Sequence, residues 1–197
     1  IIGGNTYTHQ FTYNSNGNLQ TKTYPDGFGI RYAYDNDGNL QQIKDAATDD
    51  LIYSIGLRNT VGQPTLCWFG NNTGVKYTYN SYGLPIQIKY GDKVLDDPLL
   101  PPTPDRNDNT RIDPYASMYT VDDRYSVLNY TYNQNGYITH KGDSTTGQYE
   151  DYVYDALGRL TQYTVNNSVS YSFEYDGSGN ITRNTKVSPY YYNYNAS

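Results

Sequence analysis

The sequence predicts an all-β protein: an antiparallel up-and-down meander of about 16 strands, closed or nearly closed into a soluble barrel. Three observations predict this fold class. A nine-residue unit recurs seven times, the glycines of these units are mostly spaced by 21 to 24 residues, and the chain has 26 Tyr against four Phe and one Trp. Because tyrosine favours strands and each unit contains a turn, little of the sequence is left for helices.

The unit reads aromatic, any residue, Tyr, Asp or Asn, two variable residues, Gly, any residue, aliphatic, as in residues 152–160. The aromatic alternation predicts a strand, and Asp or Asn can start a turn through its side chain. A glycine with positive φ would end a type I turn with a G1 bulge, so each unit is predicted to be a β-hairpin. The seven turn glycines are Gly17, Gly38, Gly62, Gly83, Gly136, Gly158 and Gly179.

Placing Asp155 opposite Arg159 predicts the strand register within a unit. Tyr154 then faces Leu160 and Tyr152 faces Gln162. One face of the sheet would be aromatic and aliphatic, and each ring could serve either packing or a ligand surface. The same counting predicts these further pairs: Tyr34 with Leu40, Tyr79 with Pro85, Tyr132 with Ile138, Tyr175 with Ile181, and Tyr130 with His140.

A second set of turns is predicted between the units, at sites that include Gly91-Asp92. The spacing of 53 residues between Gly83 and Gly136 predicts an extra hairpin, with strands near residues 93–95 and 115–121, and a long loop over residues 96–113. Four prolines keep this loop out of a β-ladder. Its apolar Leu99 and Leu100 favour a lid or plug over one mouth of the sheet, with a solvated linker or a binding loop as alternatives. We expect a single domain over residues 1–197.

Charge and hydropathy exclude several classes of partner. The net charge is −6, and the acidic residues fall mainly at predicted turns. The chain has no basic patch, so we expect no nucleic-acid partner. No segment approaches the roughly 20 apolar residues of a membrane helix, and the strand centres are polar, so we do not expect the chain to span a membrane. The sequence does not indicate an oligomeric state.

Signatures of catalysis are missing from the sequence. There is no Gly-x-Ser-x-Gly nucleophile motif and no Gly-x-x-x-x-Gly-Lys-Ser/Thr phosphate loop. His9 and His140 are predicted sheet residues, Cys67 lies in an apolar run, and the oxygen-rich residues 105–113 lack the Gly and Glu of a calcium loop. Glu150-Asp151 is the tightest acidic pair of the repeats, and a glycoside hydrolase is the least favoured function. We therefore expect no enzyme, no cofactor and no metal.

The seven units resemble the Tyr-Asp (YD) repeats of the Rhs and teneurin type, over residues 11–183 with only the loop interrupting. The resemblance implies hairpins that coil into a large hollow β-shell. Rhs shells are far longer and carry a self-cleaving aspartyl core motif that is missing here, so toxin delivery is not implied. In size the chain is similar to gut-bacterial surface lipoprotein domains of unknown function, soluble but porin-like in outline. That similarity implies export to the cell surface or periplasm, with a lipid anchor upstream of this chain, and supplies no catalytic residues.

Two functions stay open. One is a non-enzymatic, exported surface or scaffold protein that holds an extended polar ligand, and the other is a carbohydrate-binding module. The partner would be a glycan or another cell-surface component. Aromatic rings and guanidinium donors suit such a ligand. The candidate ligand-binding residues are Trp68, Arg106, Arg111, Tyr115 and Tyr119.

Overall fold

The computed structural model describes residues 7–95, 119–187 and 190–192, and every helix or strand within them is a β-strand. The predicted all-β antiparallel meander is confirmed, with 15 strands in the described residues. The strands are β1 (Gln10–Tyr13), β2 (Leu19–Thr23), β3 (Gly29–Tyr34), β4 (Leu40–Asp45), β5 (Leu51–Arg58), β6 (Pro64–Phe69), β7 (Thr73–Tyr79), β8 (Pro85–Leu95), β9 (Tyr119–Val121), β10 (Ser126–Tyr132), β11 (Ile138–Asp143), β12 (Gln148–Tyr154), β13 (Leu160–Val165), β14 (Val169–Tyr175) and β15 (Ile181–Asn184).

The strand order follows the chain from β1 to β15, except that β8 pairs with both β9 and β10. In the described part of the chain no ladder joins β1 to β15, so hydrogen bonds do not close the sheet. The chain divides into two compact units. The first compact unit contains residues 1–77 and 89–124, and the second contains residues 78–88 and 125–197.

Strand β8 explains why the strand count differs from the prediction. It runs without interruption through Gly91, where the sequence predicted a turn, and pairs Lys93 with Val121 of β9. The Asp92 N–H donates to Asp122 Oδ1 at 2.8 Å, and the Asp122 N–H donates to the Asp92 carbonyl at 3.1 Å. A Cβ on Gly91 would collide with the Asp122 carbonyl. The predicted turn is wrong, because this glycine serves a close main-chain approach.

Each repeating unit forms the predicted hairpin. In the unit at residues 152–160, the Gly158 N–H donates to the Asp155 carbonyl at 3.0 Å, and the Asp155 N–H donates to the Arg159 carbonyl at 2.9 Å. This is the bonding of a type I turn closed by a G1 bulge. All seven turn glycines have φ between 78° and 91°, as the turn chemistry predicted. Four predicted tyrosine–aliphatic pairs are confirmed: Tyr34 with Leu40, Tyr132 with Ile138, Tyr154 with Leu160 and Tyr175 with Ile181.

Beyond the Tyr154–Leu160 pair, the predicted register of this hairpin is wrong by one residue. Tyr152 lies opposite Tyr163 rather than Gln162, and Gln162 pairs with Val153. The reason is a β-bulge at Thr161, which places two residues of β13 opposite one residue of β12. Since a shift of one residue moves a side chain to the other face, the bulge brings Tyr163 onto the aromatic face of the sheet.

The core of the first compact unit lies around β6. Leu66 and Trp68 pack with Val121 of β9, and the three side chains are at most 3% exposed. Cys67 points to the other face of β6 and is also buried, which fits its place in an apolar run of the sequence. The Tyr53 hydroxyl lies 3.1 Å from the Cys67 Sγ, and burial raises the pKa of both groups. Strand β6 is therefore covered on both faces.

Candidate functional site

In four of the repeating units, the tyrosine that precedes the Asp or Asn links its unit to the one before it. Its hydroxyl donates a hydrogen bond to the main-chain carbonyl of the residue at the aliphatic position of the preceding unit. These bonds are Tyr34 to Leu19 (2.8 Å), Tyr132 to Pro85 (2.6 Å), Tyr154 to Ile138 (2.9 Å) and Tyr175 to Leu160 (2.8 Å). Phenylalanine could pack the same ring but has no hydroxyl to donate. The link therefore gives a physical reason for the excess of Tyr over Phe, which sequence reasoning had assigned to packing and strand propensity.

The acidic residues of the units are engaged in their own turns. Asp155 Oδ1 accepts the N–H groups of Leu157 and Arg159, both at 2.9 Å. The backbone bond from Arg159 lowers the pKa of the Asp155 carboxyl, because it stabilises the charged form. Hydrogen bonds from the asparagine four residues further on lower the pKa of Asp35 and Asp176 in the same way. Carboxylates held in this way are unsuited to act as general acids near neutral pH.

The second compact unit of the chain carries a group of aromatic rings and one lysine ammonium, called here the Tyr163 cluster. The Tyr163 ring is 8% exposed, and its centroid lies 4.8 Å from that of Tyr171 and 6.2 Å from those of Tyr152 and Phe173. The Lys186 Nζ lies 5.3 Å from the Tyr163 centroid. A hydrogen bond with the Tyr163 side chain raises the pKa of Lys186. The four rings and this lysine are the Tyr163 cluster.

Glu150 lies beside this cluster and supplies an acceptor. The Tyr152 hydroxyl donates to Glu150 Oε2 at 2.5 Å, and the Lys141 Nζ lies 3.9 Å from the same oxygen. Burial, followed by the bond to Glu150, raises the pKa of Tyr152. The side chains of Lys141 and Glu150 are 43% and 34% exposed, so both remain accessible to solvent. Charged donors and an acceptor next to aromatic rings could bind the hydroxyl groups of a polar ligand.

Glu150 and Asp151 do not form a catalytic pair. They are consecutive residues of β12, and successive side chains of a strand point to opposite faces of the sheet. Glu150 contacts Tyr152 and Lys141 on one face, whereas Asp151 bonds to His140 on the other. A glycosidase needs its two carboxylates on either side of one glycosidic bond. The geometry of this pair therefore gives no support to a hydrolase.

His140 takes part in the sheet. Its Nδ1 donates to Asp151 Oδ1 at 2.7 Å, and its ring stacks on Tyr149 with 5.6 Å between centroids. It lies opposite Thr131, so the predicted pairing with Tyr130 is wrong, because β11 has the same bulge as β13. In residues 7–95, 119–187 and 190–192 there is no group of three or more His, Cys, Asp or Glu side chains placed to hold a metal ion.

Comparison with known families finds a match for two stretches of the chain. The RHS Repeat family matches residues 13–49 and 154–187, which contain the turns of four of the hairpin units described above. These two stretches of the chain are RHS repeats. No curated protein matches it.

Solved structures share the fold of these RHS repeats. The Photorhabdus luminescens Tc holotoxin pore superimposes with a TM-score of 0.62 at 20% identity, over 90% of this chain and 9% of that one. A TcdB2-TccC3-Cdc42 crystal structure and one of TcdB2-TccC3 each give a TM-score of 0.64 at 20% identity, over 91% of this chain and 9% of theirs. The chain thus spans about a tenth of the chains that it matches, and the likeness concerns the fold.

The structure places one of the predicted ligand residues inside the sheet. Trp68 is 3% exposed, and the Lys93 Nζ lies 4.9 Å from its ring centroid. A Cβ added to Gly56 would lie 2.8 Å from the indole Nε1, and one added to Gly74 would lie 2.6 Å from Cζ3. The ring thus fits against two glycines and belongs to the core of the first compact unit. Stacking on a ligand would need an exposed ring face.

The other predicted ligand residues lie in the segment that interrupts the repeating units. Arg106, Arg111 and Tyr115 are outside the described residues, as is the predicted lid at 96–113. Tyr119 begins β9, but its side chain is also outside the described part of the structure. Their ligand-binding role stays a prediction. The described residues contain no helix that is long and apolar enough to cross a membrane.

Proposed function

We propose that the chain is a non-enzymatic structural module, one stretch of a β-sheet wall built from RHS repeats. The hydroxyl-to-carbonyl bonds between consecutive units carry this proposal. In four units they join a hairpin to the preceding one through a main-chain carbonyl, so they act whatever the acceptor's side chain is. A device of this kind suits a sheet that is extended unit by unit.

The use of the acidic residues supports the same function. The turn aspartates are held by main-chain N–H groups, and the Glu150-Asp151 pair is divided between two faces. The likeness to about 9% of the Tc toxin chains also fits a stretch of a longer repeat array. A wall module needs regular pairing and stable turns, which are what these groups provide.

A chimera tests the proposal. The stretch of TcdB2-TccC3 that matches this chain would be replaced by residues 7–192, and the product examined by electron microscopy. We expect intact particles like those of the unaltered protein. The matched control carries Tyr154→Phe and Tyr175→Phe, which remove two links, and should give particles of lower thermal stability. Failure of the chimera to assemble, when the isolated chain folds by circular dichroism, would refute the wall function.

The Tyr163 cluster supports a second candidate function, the binding of an extended polar ligand such as a glycan. One face of the second compact unit carries aromatic rings, the Glu150 carboxylate as an acceptor and the Lys186 ammonium. A glycan microarray would be probed with the wild-type chain, Glu150→Gln and a control, Glu174→Gln. Glu174 bonds to Arg183 at 2.9 Å and alternates with Phe173 and Tyr175 in β14, so it lies on the other face. We expect binding that Glu150→Gln weakens and Glu174→Gln preserves. Equal loss in both variants, or no bound glycan, would leave the wall function alone.

An exported location, at the cell surface or in the periplasm, belongs to the same proposal. It is supported by the resemblance of the repeats to surface proteins. Protease treatment of intact cells that express the whole protein, followed by immunoblotting, tests it. Cleavage in intact cells supports surface exposure, cleavage only after the outer envelope is opened supports the periplasm, and cleavage only after full lysis contradicts export.

A further inference from the structure

The repeating unit at residues 56–64 departs from the motif at both of its aromatic positions. Gly56 stands where the other units have their first aromatic residue, and Arg58 stands where they have the tyrosine that precedes the Asp or Asn. The Arg58 Nη2 donates to the Leu40 carbonyl at 2.7 Å, and its Nη1 donates to the Gly62 carbonyl at 2.8 Å. Leu40 holds the aliphatic position of the preceding unit. Arg58 therefore makes the link that a tyrosine makes elsewhere, but it brings no ring to this place.

An open cleft lies beside this unit, between β4 and β5. The ladder of these two strands ends at the Gln42–Ser54 pair, and beyond it the Gln41 Nε2 reaches across to the Ile55 carbonyl at 3.4 Å. The cleft has a volume of about 350 Å³ and is lined by residues 35–37, Gln41 and residues 55–58. Cavities of this size hold small molecules. The sheet thus opens where the motif loses its two rings.

Two opposite charges line the cleft. The Asp37 N–H donates to Asp35 Oδ1 at 3.0 Å, whereas the Asp37 carboxylate has no partner among the described residues. Within the same part of the chain Arg58 donates only to neutral main-chain carbonyls, so no ion pair neutralises its charge. A backbone bond from Asn39 lowers the pKa of Asp35, and the charge of Arg58 adds to this effect, which shows that the positive charge acts on this wall of the cleft.

The remaining lining gives the cleft an apolar part. Leu57 is 37% exposed, so its side chain is available for contact with a ligand. Two of the five N–H groups of the Arg58 guanidinium are used in the bonds to carbonyls, and the others can bind a carboxylate. Because those two bonds hold the guanidinium in place, less conformational entropy is lost when a ligand binds to it.

We propose that this cleft binds a small zwitterion of the amino-acid class, with an ammonium group, a carboxylate and an apolar side chain. The ammonium donates to Asp37, the carboxylate accepts from Arg58, and the side chain packs on Leu57. Charge-assisted hydrogen bonds of this kind are roughly twice as strong as bonds between neutral groups. The cleft needs only residues of the first compact unit, so its ligand is tested independently of the wall function.

An NMR titration of the full chain with L-leucine tests the proposal. L-leucine carries all three groups, whereas N-acetyl-L-leucine lacks the ammonium and L-leucinamide lacks the carboxylate. We expect saturable changes of the amide chemical shifts at residues 35–37 and 55–58 with L-leucine. Both analogues should bind about 10-fold more weakly, the value of one hydrogen bond to a charged group.

Three protein variants make the test specific, with folding checked by circular dichroism. Arg58→Tyr restores the motif: its hydroxyl can bond to the Leu40 carbonyl, and its ring occupies the cleft, so the chain should fold without binding L-leucine. Asp37→Asn should keep the melting temperature and weaken L-leucine binding by about 10-fold. Asp123→Asn makes the same charge change at an exposed residue outside the cleft and should leave the dissociation constant unchanged.

Three results would overturn the inference: no saturable shifts at the cleft, equal binding of L-leucine and either analogue, or unchanged affinity in Asp37→Asn or Arg58→Tyr. Saturable binding of D-glucose at the same residues, without binding of L-leucine, would also refute it and would assign the cleft to the recognition of hydroxyl groups.

Discussion

Replacing Tyr154 by Phe tests the inter-unit link most directly, because it removes one hydroxyl and keeps the ring. The ring stacks on Tyr137 with 5.2 Å between centroids, and Phe preserves that contact. What is lost is the 2.9 Å bond to the Ile138 carbonyl. One such bond contributes about 1 kcal/mol to the free energy of unfolding. For a chain of this length, we expect the melting temperature to fall by roughly 2–4 °C.

The matched control for this prediction is Tyr13→Phe, which makes the same change where no carbonyl partner lies within the described residues. Its effect on the free energy of unfolding should stay within about 0.5 kcal/mol. Both variants would be compared with the wild type by thermal and urea unfolding, followed by circular dichroism. If Tyr13→Phe costs as much as Tyr154→Phe, the hydroxyl-to-carbonyl bond is not what the second tyrosine contributes.

Alkaline unfolding provides an independent check on the same hydroxyl. Burial raises the pKa of Tyr154 above its usual value of 10.0. A group whose pKa is higher in the folded state contributes stability that is present below the unfolded pKa and is lost as the pH rises through the folded pKa. Stability should therefore fall above about pH 10, and Tyr154→Phe should reduce the slope of that fall.

The remaining predictions concern the turns and the core. Gly158→Ala should lower the free energy of unfolding by roughly 2–4 kcal/mol, because the added Cβ overlaps the Tyr137 ring and the residue also has positive φ. Gly17→Ala is the control, with φ of 80° and nothing within 4 Å of the added Cβ, and should lower it by about 1 kcal/mol. Urea unfolding measures both losses. Asp155→Asn should leave the fold intact at pH 7 but reduce the loss of stability on acidification. The pKa of the Asp155 carboxyl is lowered below 3.8 in the folded state, so its contribution to stability is present above pH 3.8 and is lost as the pH falls through the folded-state pKa. Gly74→Ala should overpack the core and shift the fluorescence of Trp68 towards that of a solvated indole, and an unchanged spectrum would show that the core absorbs the added methyl.

Local chemistry made the hairpins predictable from the sequence. A turn formed by Asp or Asn and closed by Gly depends on residues within one unit. The positive φ of the seven glycines and the first tyrosine–aliphatic pair therefore follow from the motif. The repeat spacing likewise predicted the antiparallel meander, since two turns per period leave each strand beside the next.

The residues of the candidate binding surface were harder to predict from the sequence. Trp68 was expected to bind a ligand because of its residue type, but the structure packs its ring against Gly56 and Gly74. The Tyr163 cluster was missed for a different reason. Tyr163 reaches the aromatic face only because of the bulge at Thr161, and nothing in the motif indicates that extra residue.

The sequence by itself thus determined the class of the fold, the position of the repeated turns and the conformation of their glycines, because those depend on interactions between residues a few positions apart. The tertiary structure alone decided the register beyond the first pair, the continuity of β8 through Gly91 and the bond from each linking tyrosine to the preceding unit. These features depend on main-chain groups of a neighbouring strand. A carbonyl acceptor is present in every residue, so the sequence of the acceptor strand carries no sign of it.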